Sequence, residues 1–215
     1  MDHKAFRYIG VAALVLAAAV IAYLLVGAIG AGRFVMLTDE QAKAVLASND
    51  YKTEQQRIVA EAAVSLKGGV HYFWGGKSRA IGPDPRWGEP ALVKSTGSKT
   101  TGEVRPFGLD CSGFVAWCFV QINDGRDLYD MTGEGTWNQW QKSTPIKWSE
   151  IEVGDLVFQN EYPGASYNHV GVCIGYFNGS PVFAHCSASE DNVVVTTAGT
   201  LFKYARRPAA LMPEG

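Results

Sequence analysis

The sequence predicts an α+β domain, on three observations. Helix-period apolar patterns fall early in the chain, strand-like alternation dominates after residue 153, and neither an internal repeat nor a low-complexity tract interrupts that order. The 24 glycines and 6 tryptophans among 215 residues favour a loop-rich domain with aromatic-lined surfaces over a helical bundle. Charge is close to balanced, with 19 Lys and Arg against 21 Asp and Glu, so nothing points to nucleic acid as a partner.

In chain order, residues 8–32 form an uncharged run, YIGVAALVLAAAVIAYLLVGAIGAG. It exceeds the ~20 residues a helix needs to span a bilayer and the apolar core of about 7–15 residues usual in a signal peptide. A retained transmembrane helix is therefore favoured, with residues 1–7 as a cytoplasmic tail. The small residues from Gly27 to Gly32 keep a cleaved, secreted form as the alternative. Lys4 and Arg7 before the run and Arg33 and Lys43 after it nearly tie in the positive-inside count. The placement of the remainder outside the cytoplasm follows from the chemistry below.

Residues 33–54 read as a juxtamembrane helical linker and residues 55–215 as the main domain. Thr38-Asp39-Glu40-Gln41 fits a capping box that opens a helix to about Ser48, broken by Asn49-Asp50. A second helix is expected from about Thr53 to Leu66, with Ile58, Ala62 and Leu66 repeating along its apolar side, Val59 and Ala63 beside them, and Gly68-Gly69 as its end. Residues 76–109 carry no period and read as a long loop walling a cleft, bordered by the tryptophan-bearing pieces HYFWGG and PRWGEP. A helix starts at Asp110, residues 121–147 look irregular, and strands follow at about 154–159, 169–176, 180–186, 192–197 and 202–206.

Asp110 is a plausible N-cap, which places Cys111 in the first turn, where unpaired amides and the helix dipole favour a thiolate. The adjacent carboxylate opposes that if it points at the sulfur. Phe114, Val115 and Cys118 predict one buried face behind Cys111. Cys118, Cys173 and Cys186 read as buried thiols in preference to disulfides, since they lie in regular segments.

His169 opens the strand NHVGVCIGYF and His185 lies in SPVFAHCSAS. Whether the two rings meet depends on register. A two-residue turn at Asn178-Gly179 pairs His185 with Val172 and puts the histidines on opposite faces. A three-residue loop, Phe177-Asn178-Gly179, pairs His185 with Gly171 and puts them on one face. The second register is expected. It makes a thiolate–imidazole pair of Cys111 and His169, with His185 fixing the tautomer of His169.

Taken together, HYFWGG (71–76), DCSGFV (110–115), VGDLVF (153–158), HVGVCIG (169–175) and FAHCSAS (183–189) resemble the NlpC-type cysteine peptidases, papain-like endopeptidases of bacterial cell walls. The resemblance implies a papain-like core, a nucleophile-bearing helix packed on an antiparallel sheet. It implies Cys111, His169 and His185 as the catalytic set and no metal or cofactor. It further implies hydrolysis of peptidoglycan stem peptides, typically after D-glutamate. Tyr72 matches the family's tyrosine beside the nucleophile, and Asp110 and Ser112 match positions that in some members bind the amine end of the stem peptide. Trp74 belongs to the expected cleft wall. The gap between HYFWGG and DCSGFV is much longer than in typical members, which leaves the shape of the cleft to this chain's own insertion. The same thiol chemistry serves an amidase or a transpeptidase, and the same fold serves a non-catalytic wall-binding module. A zinc hydrolase is disfavoured by the lack of ligand-spacing motifs.

Overall fold

The computed structural model describes residues 34–212. The tail 1–7 and the apolar run 8–32 lie outside the described residues. No helix among the described residues is long and apolar enough to cross a membrane.

Thr38 Oγ1 accepts the Gln41 amide and the Gln41 side chain accepts the Thr38 amide, closing the expected capping box of α1 (Asp39–Ser48). Where described, the segment expected as a linker is part of the fold. Residues 35–37 run along β7 (Asn192–Thr197), with the Leu37 amide 2.8 Å from the Val195 carbonyl. α1 buries Ala42 and Val45. Thr53 caps α2 (Glu54–Ser65). Its buried stripe is Gln56, Val59, Ala60 and Ala63, while Ile58 and Ala62 are only half-buried. The ion pairs of Arg57 with Glu54 and Glu61 lie on the water-facing side, and Ile58 adjoins them in sequence.

The insertion 76–109 is not a bare loop. β1 (Pro90–Leu92) and β2 (Val104–Pro106) pair antiparallel within it. Strands of three residues, one opening on proline, are too short to show a period. The stretch 121–147 likewise holds α4 (Leu128–Thr132), α5 (Gly135–Gln141) and β3 (Ser143–Ile146).

α3 (Cys111–Val120) is buried from Cys111 through Phe119, on every side and not one. α2, α4 and the sheet surround it, so a helix expected to be amphipathic is apolar all round. The sheet adds β4 (Leu156–Phe158), β5 (Val170–Phe177), β6 (Ser180–Ser187) and β8 (Tyr204–Pro208), in the antiparallel order β3-β8-β4-β5-β6-β7. Helices cover one face, over Leu156, Val170, Val172, Ile174, Ala184 and Val195. Each of the fully buried Val, Leu and Ile side chains among them contributes about 1.5–3 kcal/mol. A smaller cluster of Val157, Cys173, Phe183, Leu201 and Phe202 covers the other face. The helix-then-antiparallel-sheet prediction agrees with this architecture.

The β5–β6 hairpin corrects the expected turn. Phe177 pairs with Ser180 across a two-residue Asn178-Gly179 turn, both residues at positive φ (49° and 76°). That is the connection that would separate the two histidines. A bulge between Cys173 and Gly175 then absorbs one residue, so that Val172 pairs with Ala184. Carried one step further, the register sets His185 opposite Gly171, as expected but by a different device. A Cβ built on Gly171 would lie 3.3 Å from His185 Cβ.

Candidate active site

The start of α3 is held from three directions. Asp110 is its N-cap: Oδ1 accepts the Gly113 amide at 2.7 Å and the Ser112 hydroxyl at 2.8 Å. Oδ2 accepts the Lys77 ammonium, which also donates to Ser112 Oγ at 3.2 Å. Behind the turn, fully buried Gln139 donates to the Ser112 carbonyl at 2.8 Å. Gly113 is required here, since a Cβ would sit 2.1 Å from the Gly76 carbonyl oxygen.

Cys111 is 5% exposed at this tip. Burial first, and the Asp110 carboxylate second, push its thiol pKa up to about 12; the Val170 and Ser112 amides and the Lys77 charge pull the other way. The expected depression by the helix start is outweighed, because the thiol is desolvated and the adjacent carboxylate keeps its charge close by. The action of the Val170 amide on the thiol sets Cys111 against the residue that follows His169.

His169 Nε2 lies 3.0 Å from His185 Nδ1 with the rings nearly perpendicular. His185 is fully buried, and its Nε2 lies 3.1 Å from Thr196 Oγ1. Phe202 stacks on His169 at 5.7 Å and meets His185 edge-on at 5.3 Å, and Phe34 also meets His185 edge-on at 5.6 Å. A consistent proton assignment has His185 Nε2–H donating to Thr196 and His169 Nε2–H donating to His185 Nδ1. His169 then carries its lone pair on Nδ1. Asn168 holds the residue before β5, its Oδ1 accepting the Asn160 and His169 amides at 2.9 Å each.

Tyr72 stands close enough to Cys111, Asp110 and Cys186 for their charges to raise its pKa further, after burial, so the phenol stays a proton donor. Its own amide donates to Asp191 Oδ1 at 3.1 Å. Trp74 donates to the Thr96 carbonyl at 2.9 Å, tying the HYFWGG piece to the insertion. Trp74, Ser95 and Thr96 line one wall of an open cleft of about 560 Å³, with Lys77, Asp110, Cys111 and Ser112 also lining it. Residues 134–136, Tyr162 and 166–168 complete the lining. The insertion thus forms a cleft wall, as its composition suggests.

A model of the NlpC/P60 family matches residues 69–203, a span that holds every candidate residue from Tyr72 to His185. The chain belongs to the NlpC/P60 family. It is 30% identical over 140 residues to Protein P54 of Enterococcus faecium, a match covering 64% of this chain and 19% of that protein. It is 37% identical over 76 residues to the Probable endopeptidase p60 of Listeria grayi, covering 35% and 13%. The chain therefore spans less than a fifth of either relative. Among solved structures, the peptidoglycan hydrolase RipB of Mycobacterium tuberculosis is 21% identical, with a TM-score of 0.48, covering 80% of this chain and 68% of RipB.

In this NlpC/P60 chain, the structure brings Cys111, Tyr72, Asp110 and Ser112 together, and separately pairs His169 with His185 at the sheet end that Cys111 abuts. Sequence reasoning missed Lys77, Gln139, Asn168 and Thr196. Thr196 was within reach: His185 pairs with Val194, so alternation makes Thr196 its diagonal neighbour on the same face. Lys77 directly follows HYFWGG but carries no periodic signal.

Proposed function

We propose that the chain is a cysteine endopeptidase that hydrolyses peptidoglycan stem peptides at the bond after D-glutamate. Cys111 is the nucleophile, His169 the general base, and His185 the group that orients it. The observation that carries this reading is the relay Thr196–His185–His169, which leaves Nδ1 of His169 as the basic nitrogen at the sheet end where Cys111 meets the Val170 amide. In the cycle, the Cys111 S–H proton passes to His169 as sulfur attacks the scissile carbonyl carbon. The Cys111 amide and the Tyr72 hydroxyl steady the oxyanion, such a donor being worth about 3–4 kcal/mol. The imidazolium then protonates the leaving amine, leaving a thioester on Cys111. Water, deprotonated by His169, attacks that thioester and restores the thiol. Trp74, Asp110 and Ser112 border the bound peptide. Residues 8–32 anchor the chain in the cell membrane, with the domain outside the cytoplasm beside its polymer.

Digestion of purified peptidoglycan in ¹⁸O-labelled water tests the reaction. The expected products carry a new carboxylate with one ¹⁸O atom, on D-glutamate. Products joined to a new amine and free of label would contradict hydrolysis and indicate transpeptidation.

A further inference from the structure

The backbone around Tyr72 is held from both sides. On one side Tyr72 pairs in parallel with Leu109, the residue before the Asp110 cap. The Leu109 amide donates to the His71 carbonyl at 3.1 Å, and the Phe73 amide donates to the Leu109 carbonyl at 3.0 Å. Backbone groups alternate in direction along an extended segment, so the Tyr72 amide faces the opposite way. Asp191 receives it there: Oδ1 accepts the Tyr72 amide at 3.1 Å, while Oδ2 lies 3.0 Å from His71 Nδ1. Asp191 belongs to the turn between β6 and β7 and holds φ at 48°, a left-handed conformation that Gly, Asn and Asp adopt most readily. β6 leads into that turn through His185 and Cys186, and the Cys186 thiol donates to the Leu109 carbonyl at 3.1 Å. One carboxylate thus ties the segment 71–73 to the strand that carries His185. The His71 and Asp191 side chains are about half exposed, so their ion pair adds little stability, and what it supplies is geometry. Among the described residues the Tyr72 hydroxyl makes no hydrogen bond, so the ring is placed by this backbone and by packing against the core.

We propose that Asp191 is a positioning residue for the reaction: it fixes the backbone from which the Tyr72 ring projects and so sets the phenol hydroxyl beside Cys111. The proposal rests on the endopeptidase reading above, in which that hydroxyl donates to the oxyanion. Asp191 does not line the cleft and acts only through Tyr72. An oxyanion donor is effective within about 2.7–3.1 Å of the developing charge, and a displacement of about 1 Å can cost on the order of 100-fold in rate. Without the carboxylate, the Tyr72 amide loses its acceptor and the segment 71–73 is held along its Leu109 edge alone. The second bond, to His71, stops the Asp191 side chain from rotating away from the amide it accepts.

The test is a double-mutant cycle on the full chain in detergent, with a synthetic stem tetrapeptide as substrate. Asp191→Gly removes the carboxylate and accepts the positive φ without strain. Asp191→Asn accepts it too and keeps an oxygen acceptor for the Tyr72 amide. Asp191→Gly is expected to lower kcat at least about tenfold with KM changed less than about threefold, and Asp191→Asn to stay within about threefold of the wild type. In a Tyr72→Phe background the same Asp191→Gly change should alter kcat by less than about threefold, because the group it positions is gone. An equal loss in both backgrounds is what a merely structural role produces, and it overturns the proposal. So does undiminished activity of Asp191→Gly, or an Asp191→Asn protein as slow as Asp191→Gly. If circular dichroism shows Asp191→Gly unfolded, Asp191→Ala takes its place, and unfolding of both overturns the proposal. A second readout needs no turnover: the Tyr72 ring resonance in ¹³C-tyrosine-labelled protein, assigned through Tyr72→Phe. It should shift in Asp191→Gly and hold in Asp191→Asn, and a ring that Asp191→Gly leaves unmoved overturns the proposal. If the wild type hydrolyses no peptide while the resonance shifts as expected, the positioning of Tyr72 stands and the endopeptidase reading falls.

Discussion

Cys111 sits where two residue-scale influences oppose each other, and burial together with Asp110 wins. With the thiol pKa pushed up to about 12, Cys111 rests as a thiol, and on the proposed mechanism its thiolate forms only as His169 takes the proton. Alkylation by iodoacetamide should therefore accelerate continuously from pH 5 through pH 9. A plateau between pH 5 and 8 would reveal a resting thiolate–imidazolium pair and contradict this account. His185→Ala removes the partner of His169 Nε2 and leaves Thr196 Oγ1 without its ring nitrogen. It should lower kcat by roughly 100-fold or more with KM little changed, in steady-state assays on a stem peptide. Much at this scale was legible in the sequence: DCSGFV sets Cys111 behind an N-cap, and alternation in β5 and β6 marks His169 and His185. The electrostatic balance was not, because it depends on the depth of burial and on Lys77, thirty-four positions away and silent in any periodicity.

At the scale of elements, the register that pairs the histidines depends on a bulge that the sequence does not announce. Asn49, beyond the end of α1, donates from Nδ2 to the Ile174 carbonyl at 2.8 Å, satisfying the group the bulge removes from the ladder. Gly175 holds φ at 140°, and a Cβ on it would strike Asn49 Oδ1 at 2.2 Å. A segment read as linker thus locks the hairpin from the side. Asn49→Ala should cost about 1–3 kcal/mol in urea unfolding and should also lower kcat, since a slipped bulge turns His185 away from His169. Thr53→Ala, which removes only the α2 cap, should cost about 1 kcal/mol with kcat retained. Equal kcat in the two variants would show that Asn49 does not set the register. Strand existence was readable here because Val170, Val172 and Ile174 recur at every second position of β5 and a turn pair, Asn178-Gly179, separates it from β6. The turn was misread because, without a bulge, only the three-residue loop brings the histidines to one face; Asn178-Gly179 favours the two-residue connection on local chemistry, and the compensating residue lies within the strand at Ile174.

At the scale of the whole molecule, the cleft has one wall on the insertion 76–109, and that insertion is tied down near its start by buried Asp84. Arg86, Ser78 and the Arg86 amide all bond its carboxylate and hold its pKa below the usual carboxylate range. A depressed folded-state pKa contributes stability that is fully present above the unfolded value of about 3.9 and is lost as pH falls through the folded value. Asp84→Asn should therefore flatten the acid limb of a plot of stability against pH below about pH 4, read by thermal unfolding. An acid limb identical to that of the wild type would remove Asp84 from the account. The most direct measurement of the central claim is digestion of purified peptidoglycan by the full chain, wild type against Cys111→Ala, with muropeptides resolved by mass spectrometry. The account predicts stem-peptide fragments ending in D-glutamate from the wild type and none from Cys111→Ala. The same fragments in equal yield from both proteins would contradict it.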